Sequence, residues 1–200
     1  QLLVAELRQR FDEIDEIHAA FHGTGGPACA RQHHRALGGD AIGWHDGEWI
    51  ERPGGSGREL FWFPEPIGGK DCYRAELADP IVLHRAFPNV NRISARVSAT
   101  RRDRLTARLP MMSPPHPEGG LGGIRVEVRG SLAGARVTHV AGIAERTAVI
   151  AGAVASSVAD QLQGFVTNGG VPAGVVVLGD GRLDETALMT AVIQRGIKVF

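Results

Sequence analysis

The sequence predicts an α+β fold: a mixed, mainly antiparallel sheet with helices packed on one face. Two hairpins are legible, 41–45 with 48–52 around Asp46-Gly47, and 124–129 with 135–143 around 130–134. Residues 92–100 alternate strictly between apolar and polar, the period of a half-buried strand. Helical patterns fall between the strands without repeating as β-α-β, and no internal repeat is present.

Each element follows from local signals. Leu2, Leu3, Leu7 and Phe11 recur near helical spacing, so 1–11 reads as a helix. Residues 14–22 read as a strand. Pro27 suits the first position of a helix, where a missing N–H costs nothing, and that helix stops at Gly38-Gly39. After the first hairpin, 53–57 is a loop and 59–63 an aromatic-rich strand. A Pro/Gly turn at 64–69 leads to a short strand at 71–76. Asp79 is the expected cap of a helix reaching 87, with Pro80 in its first turn. In the strand at 92–100, Ile93, Ala95, Val97 and Ala99 share one face, and Arg92, Ser94, Arg96 and Ser98 share the other. Residues 101–109 read as a helix ended by Pro110, and 113–120 as a Pro/Gly-rich loop. Thr147 is the expected cap of the longest helix, 148–163, with Ile150, Val154, Val158 and Leu162 in one stripe. Asp184 or Thr186 caps a last helix ending at Gly196. Residues 197–200 read as the middle of a strand, and both chain ends read as cut inside elements.

Composition narrows the function. The 200 residues fit a single domain. Acids and bases balance at 22 each, so no net field draws the chain to nucleic acid or a membrane surface. No apolar run approaches the roughly 18 residues needed to span a bilayer. Cys29 and Cys72 have no C-x-x-C spacing, which points to a reducing cytoplasm.

The run His22-Gly23-Thr24-Gly25-Gly26-Pro27-Ala28 has the form of a dinucleotide turn: strand, G-x-G-x-x-A, helix. Such a strand should be apolar on both faces, yet Asp15, Glu16 and His18 interrupt this one. Asp40 stands near the position of a ribose-binding acid, but it lies between Gly39 and a hairpin. The run therefore reads as a turn feeding a helix, with Thr24, Gly25 and Gly26 as an end that binds a substrate carboxylate or phosphate. His18, His22, Cys29, His33 and His34 match no standard zinc spacing, so no metal is expected. His33 and His34, beside Arg31 and Arg35, read as a solvated basic helix face.

The segment Lys70-Asp71-Cys72-Tyr73-Arg74 holds one of two lysines and the only tyrosine. Lys70 and Tyr73 are candidate acid–base groups, and Arg74 a candidate carboxylate clamp. An exposed strand with ordinary hydrogen bonds is the alternative. No G-x-S-x-G elbow is present.

A resemblance rests on the order of several segments. They are Gly23-Thr24-Gly25-Gly26, then 61–69 (FWFPEPIGG), 83–90 (LHRAFPNV), 145–150 (ERTAVI) opening a long helix, 174–177 (GVVV) and the run 188–197. In this order the chain resembles the part of saccharopine dehydrogenase-like oxidoreductases that follows their nicotinamide-binding domain. The resemblance implies an N-terminal Rossmann domain followed by this α+β domain, which shapes the substrate cleft and builds a homodimer. Residues 1–200 are then one substrate-binding and dimerisation domain, with no cofactor of their own and NAD(P) on the parent chain. The substrate would be amino-acid-like or an imine. A non-catalytic binding or assembly module on the same fold is the alternative.

Overall fold

A computed structural model describes residues 1–111, 114–164, 174–176, 178 and 182–200. Val177 of the GVVV segment and Ser113 of the Pro/Gly-rich loop lie outside the described residues. Helix α1 (Leu2–Arg8) leads into β1 (Glu13–His22), α2 (Pro27–Ala36), and the hairpin β2 (Asp40–His45) and β3 (Glu48–Pro53). A second hairpin, β4 (Glu59–Phe63) and β5 (Gly68–Arg74), precedes α3 (Asp79–Ala86), β6 (Arg92–Ser98) and α4 (Arg101–Thr106). The long hairpin β7 (Leu121–Leu132) and β8 (Ala135–Arg146), then α5 (Thr147–Leu162) and α6 (Glu185–Gln194), complete the order. The class is α+β, as the hairpins and alternation imply. Among the described residues no helix is long and apolar enough to cross a membrane.

The strands form one mixed sheet, β3-β2-β6-β1-β7-β8. β1 and β6 pair in parallel from Glu16–Arg92 to Phe21–Val97, and the other pairings are antiparallel. The second edge of β6 is divided. β2 pairs with Arg92 and Ile93, and β5 pairs with Arg96, Val97 and Ser98. The strand after α2 thus runs antiparallel to β6, and so antiparallel to β1. The strand that follows α2 is therefore not the parallel neighbour of β1 that a dinucleotide-binding β-α-β unit requires, which agrees with the reading of 23–26 as a turn feeding a helix.

Strand alternation separates two faces. Ile17, Ile93, Val126 and Val128 pack in one core with Leu3, Val4 and Leu7 of α1, Leu83 of α3, Ile150 of α5, and Leu188 and Val192 of α6. The opposite face carries Glu16, His18, Arg125, Glu127 and Arg129, joined by ion pairs: Glu16 to Arg129 at 3.1 Å and Arg125 to Glu127 at 2.7 Å.

The β4–β5 hairpin folds over part of that second face. Phe61, Phe63, Ile67 and Cys72 form a cluster on Ala20 of β1. The face is low here because glycine occupies it. A Cβ on Gly123 would stand 2.8 Å from both Phe63 and Ile67, and one on Gly142 would stand 2.7 Å from Pro64. Burial pushes the Cys72 thiol up to about 12, leaving it un-ionised at neutral pH.

Several local expectations are corrected. Ala78, not Asp79, precedes α3, and Asp79 lies in the first turn without capping it. Arg146, not Thr147, precedes α5, because β8 runs directly into the helix and Thr147 packs against Gly122. The buried stripe of α5 is Ile150, Ala153, Ser157 and Gln161, while Leu162 is exposed. Ser157 enters the core because its hydroxyl donates to the Ala153 carbonyl at 2.8 Å. Gln161 is held there by donating to the Asp184 carbonyl at 3.1 Å. Asp184 caps α6 by accepting from the Ala187 N–H, so the alternative at Thr186 falls away. Residues 197–200 form no strand, although Phe200 and Gly142 exchange backbone hydrogen bonds at 2.9 Å. Arg96, expected on the polar face of a half-buried strand, is itself buried because the folded-over hairpin covers it.

Gly123→Val should lower stability by about 1–3 kcal/mol through overpacking against Phe63 and Ile67, read by urea denaturation. Gly152→Ala, in open space on α5, should instead raise it by about 0.5–1 kcal/mol. Equal effects from both would contradict the packing described.

Candidate functional site

A cavity of about 680 Å³ opens at the carboxyl ends of the parallel strands β1 and β6. Crevices of this kind arise where strands end and their connections diverge. β1 contributes His22, followed by Gly23 and Thr24. β6 contributes Ser98, followed by Ala99 and Thr100. α2 supplies His33 and His34, α4 supplies Asp103, and the folded-over hairpin supplies Leu60, Lys70 and Asp71.

The parallel register sets the site's first bond. Beyond the Phe21–Val97 pair, His22 Nδ1 lies 2.7 Å from Ser98 Oγ. The same pairing occurs four residues earlier, where His18 Nδ1 lies 2.8 Å from Ser94 Oγ. His18 and Ser94 do not line the cavity, so the strand register alone generates the contact. This repetition argues against reading Ser98 as a catalytic nucleophile. His33 Nε2 donates to the Ser98 carbonyl at 3.1 Å, which leaves Nδ1 of the neutral ring as a proton acceptor. Burial lowers the pKa of both His22 and His33. For His22 the nearby Lys70 charge lowers it further. Both rings are therefore neutral at pH 7.

His34 has a different task. It is buried, and its Nε2 donates to the Thr106 and Leu109 carbonyls at 2.9 and 3.2 Å, closing the end of α4. The start of α4 is closed by Thr100 and Asp103 in a reciprocal capping box. The solvated basic face expected for His33 and His34 is thus corrected: α4 docks on it, and its last carbonyls need donors.

Lys70 is the cavity's cation. Its neighbour Asp71 is held by Arg58 at 3.0 Å, and Lys70 makes no ion pair among the described residues. An ammonium beside two neutral imidazoles suits a carboxylate-bearing ligand, and His33 keeps Nδ1 as a proton acceptor.

The structure separates the other sequence candidates. Thr24 lines the cavity with Lys70. Gly25 and Gly26 do not. A Cβ on Gly25 would meet Thr147 and Ala148, and one on Gly26 would meet the Pro117 carbonyl at 3.3 Å. Tyr73 is buried among Ala36, Leu37, Val97 and Ala107, with the Arg104 guanidinium 4.1 Å from its ring centre. Arg74 lies four residues along β5 from Lys70, roughly 13 Å at strand spacing, in another depression. The cavity residues that sequence reasoning did not select are His22, His33, Ser98 and Asp103. Their only sequence signal is position: His22 and Ser98 each end an alternating run. Among the described residues no three His, Cys, Asp or Glu side chains converge as metal ligands.

The glycine turn does not fit a dinucleotide. The pyrophosphate cradle requires free backbone at the helix start, whereas here Gly119 packs against the Thr24 carbonyl and Gly26 is buried.

No family model and no curated protein sequence matches the chain. A solved structure does: saccharopine dehydrogenase (L-Glu forming) from Saccharomyces cerevisiae. The match has a TM-score of 0.62 at 10% identity and covers 100% of this chain and 70% of the yeast chain. The fold is saccharopine dehydrogenase-like. At that identity the likeness carries the architecture and no residue roles.

Stability should fall on acidification. Burial depresses the folded pKa of His22 and His33 below the 6.5 of an exposed imidazole. The unfolded chain therefore takes up protons first, so stability present above about pH 6.5 is lost as pH falls toward the folded values. Urea denaturation at pH 7.5 and 5.5 should show this loss, and His22→Asn with His33→Asn should shrink it. A gain in stability on acidification would contradict the assignment.

Proposed function

We propose that the chain is the substrate-binding and dimerisation domain of a saccharopine dehydrogenase-like, NAD(P)-dependent oxidoreductase. Its substrate would be amino-acid-like or an imine. One observation carries this reading: Lys70, His22, His33 and Thr24 converge in a cavity at the carboxyl ends of β1 and β6. The fold likeness to a dehydrogenase supports it.

In this reading Lys70 and the Thr24 hydroxyl bind a substrate carboxylate. His33 holds or moves a proton at Nδ1, while its Nε2–H bond to Ser98 fixes the ring. Nicotinamide binding belongs to residues outside this chain, since the glycine turn does not form a cradle for it. Tyr73, buried under Arg104, is a positioning residue for the wall of β5 and not an acid–base group. Self-association as a homodimer, the expectation carried by the resemblance, is checked by sedimentation.

L-Glutamate and saccharopine, titrated calorimetrically, should bind. Lys70→Met should weaken that binding about 10–100-fold, the worth of a charged hydrogen bond of about 1.5–3 kcal/mol. Binding unaffected by Lys70→Met, or tight binding of NADH or NADPH by residues 1–200 alone, would overturn the proposal.

A further inference from the structure

The division of β6 between β2 and β5 leaves a gap. Ser94 and Ala95 have no antiparallel partner on that edge, because β2 stops at Ile93 and β5 starts at Arg96. Four arginines from three strands line the depression there: Arg52, Arg74, Arg92 and Arg96. Its volume is about 50 Å³, several times the ~10–15 Å³ that one water requires. That is room for a small polyatomic group.

The positive charge is poorly matched. Arg96 is buried, with Nε 2.8 Å from Glu59 and Nη1 donating to the Gly57 carbonyl at 2.8 Å. Arg52, Arg74 and Arg92 make no ion pair among the described residues. Arg74 Nη1 reaches the Ser56 hydroxyl at 3.4 Å, at the edge of a hydrogen bond. A Cβ on Gly57 would lie 2.2 Å from Arg74 Nη1 and 3.1 Å from Arg96 Nη1, so the two guanidiniums crowd the same point. Glu16, the register partner of Arg92, is occupied by His18 and Arg129 at 2.9 and 3.1 Å. Among the described residues, Glu59 is thus the one carboxylate ion-paired to these four guanidiniums, in a chain whose net charge is zero.

Crowded guanidiniums repel, and a shared oxyanion removes the repulsion by accepting from several at once. We propose that this fork binds a small tetrahedral oxyanion, free phosphate or a phosphate monoester, held by Arg74 with Arg52 and Arg92 against the Arg96–Glu59 pair. Burial and the Arg96, Arg52 and Arg92 charges lower the pKa of Arg74, a cost that an anion would relieve. The size of the depression favours a terminal phosphate over a polymer backbone. The proposal is independent of the cavity at Lys70, whose ligands are read out by Lys70→Met and not by the arginines.

Inorganic phosphate and glycerol 3-phosphate, titrated into the 200-residue chain at constant ionic strength and followed by phosphorus NMR, should bind saturably. Arg74→Gln should weaken binding about tenfold or more, Arg74→Lys less, and Arg31→Gln, at an exposed position of α2, not at all. Tighter binding of the monoester assigns the phosphate to a larger molecule, and equal binding assigns free phosphate. The proposal is overturned if neither saturates below about 10 mM. It is also overturned if Arg31→Gln weakens binding as much as Arg74→Gln. A single-stranded oligonucleotide that binds more tightly than both, and loses binding in Arg74→Gln, replaces the small anion with nucleic acid.

Discussion

The parallel pairing of β1 with β6 is the constraint on which the rest hangs. Parallel neighbours cannot be joined by a tight turn, so the chain must cross over between them. Residues 23–91 make that crossover and contain α2, both β2–β3 and β4–β5 hairpins, and α3. Its register places His22 beside Ser98 and repeats the contact at His18 and Ser94. The same register aligns Ile17 with Ile93 and Ala19 with Ala95, so one face of the sheet is apolar and ready for helices.

The second constraint is the removal of side chains from the opposite face. Gly123, Gly142 and Ala20 lower the surface where Phe61, Phe63, Pro64 and Ile67 settle. This docking lays the β4–β5 hairpin over the face while β5 stays paired with β6 through Cys72, Tyr73 and Arg74, and Lys70 lines the cavity at the mouth of β1. β5 meets the β6 edge at Arg96–Ser98 and β2 meets it at Arg92–Ile93, which leaves between them the gap lined by arginines. The same hairpin therefore supplies Lys70 to the wall of the cavity and Arg74 to the fork.

Charge is distributed unevenly along this arrangement. In the middle of the sheet, Glu16, His18, Arg129, Glu127 and Arg125 satisfy one another. At the carboxyl end, a lysine without an ion pair among the described residues faces imidazoles that burial keeps neutral. At the fork, guanidiniums outnumber carboxylates. The overall neutrality of the chain conceals both imbalances.

Local chemistry determined much of the fold by itself. Turn residues and period-two alternation sufficed for the hairpins, for β1 and β6, and for the starts of α2 and α6, because these signals act over a few residues. The α+β class follows from their order. The sequence also showed that the glycine turn lacks an apolar strand before it. Tertiary structure alone decided which strands are neighbours, and with them the site. Lys70 and Thr24 meet in the cavity, while Tyr73 and Arg74, adjacent to each other in sequence, point into separate environments because successive strand residues face opposite sides. His22, His33 and Ser98 come together only through a pairing between strands separated by residues 23–91. Ser157, Gln161, His34 and Arg96 are buried against their polarity because partners distant in sequence or one helical turn away accept their hydrogen bonds. No local pattern encodes such partners, since register and docking are set by the fit of whole faces.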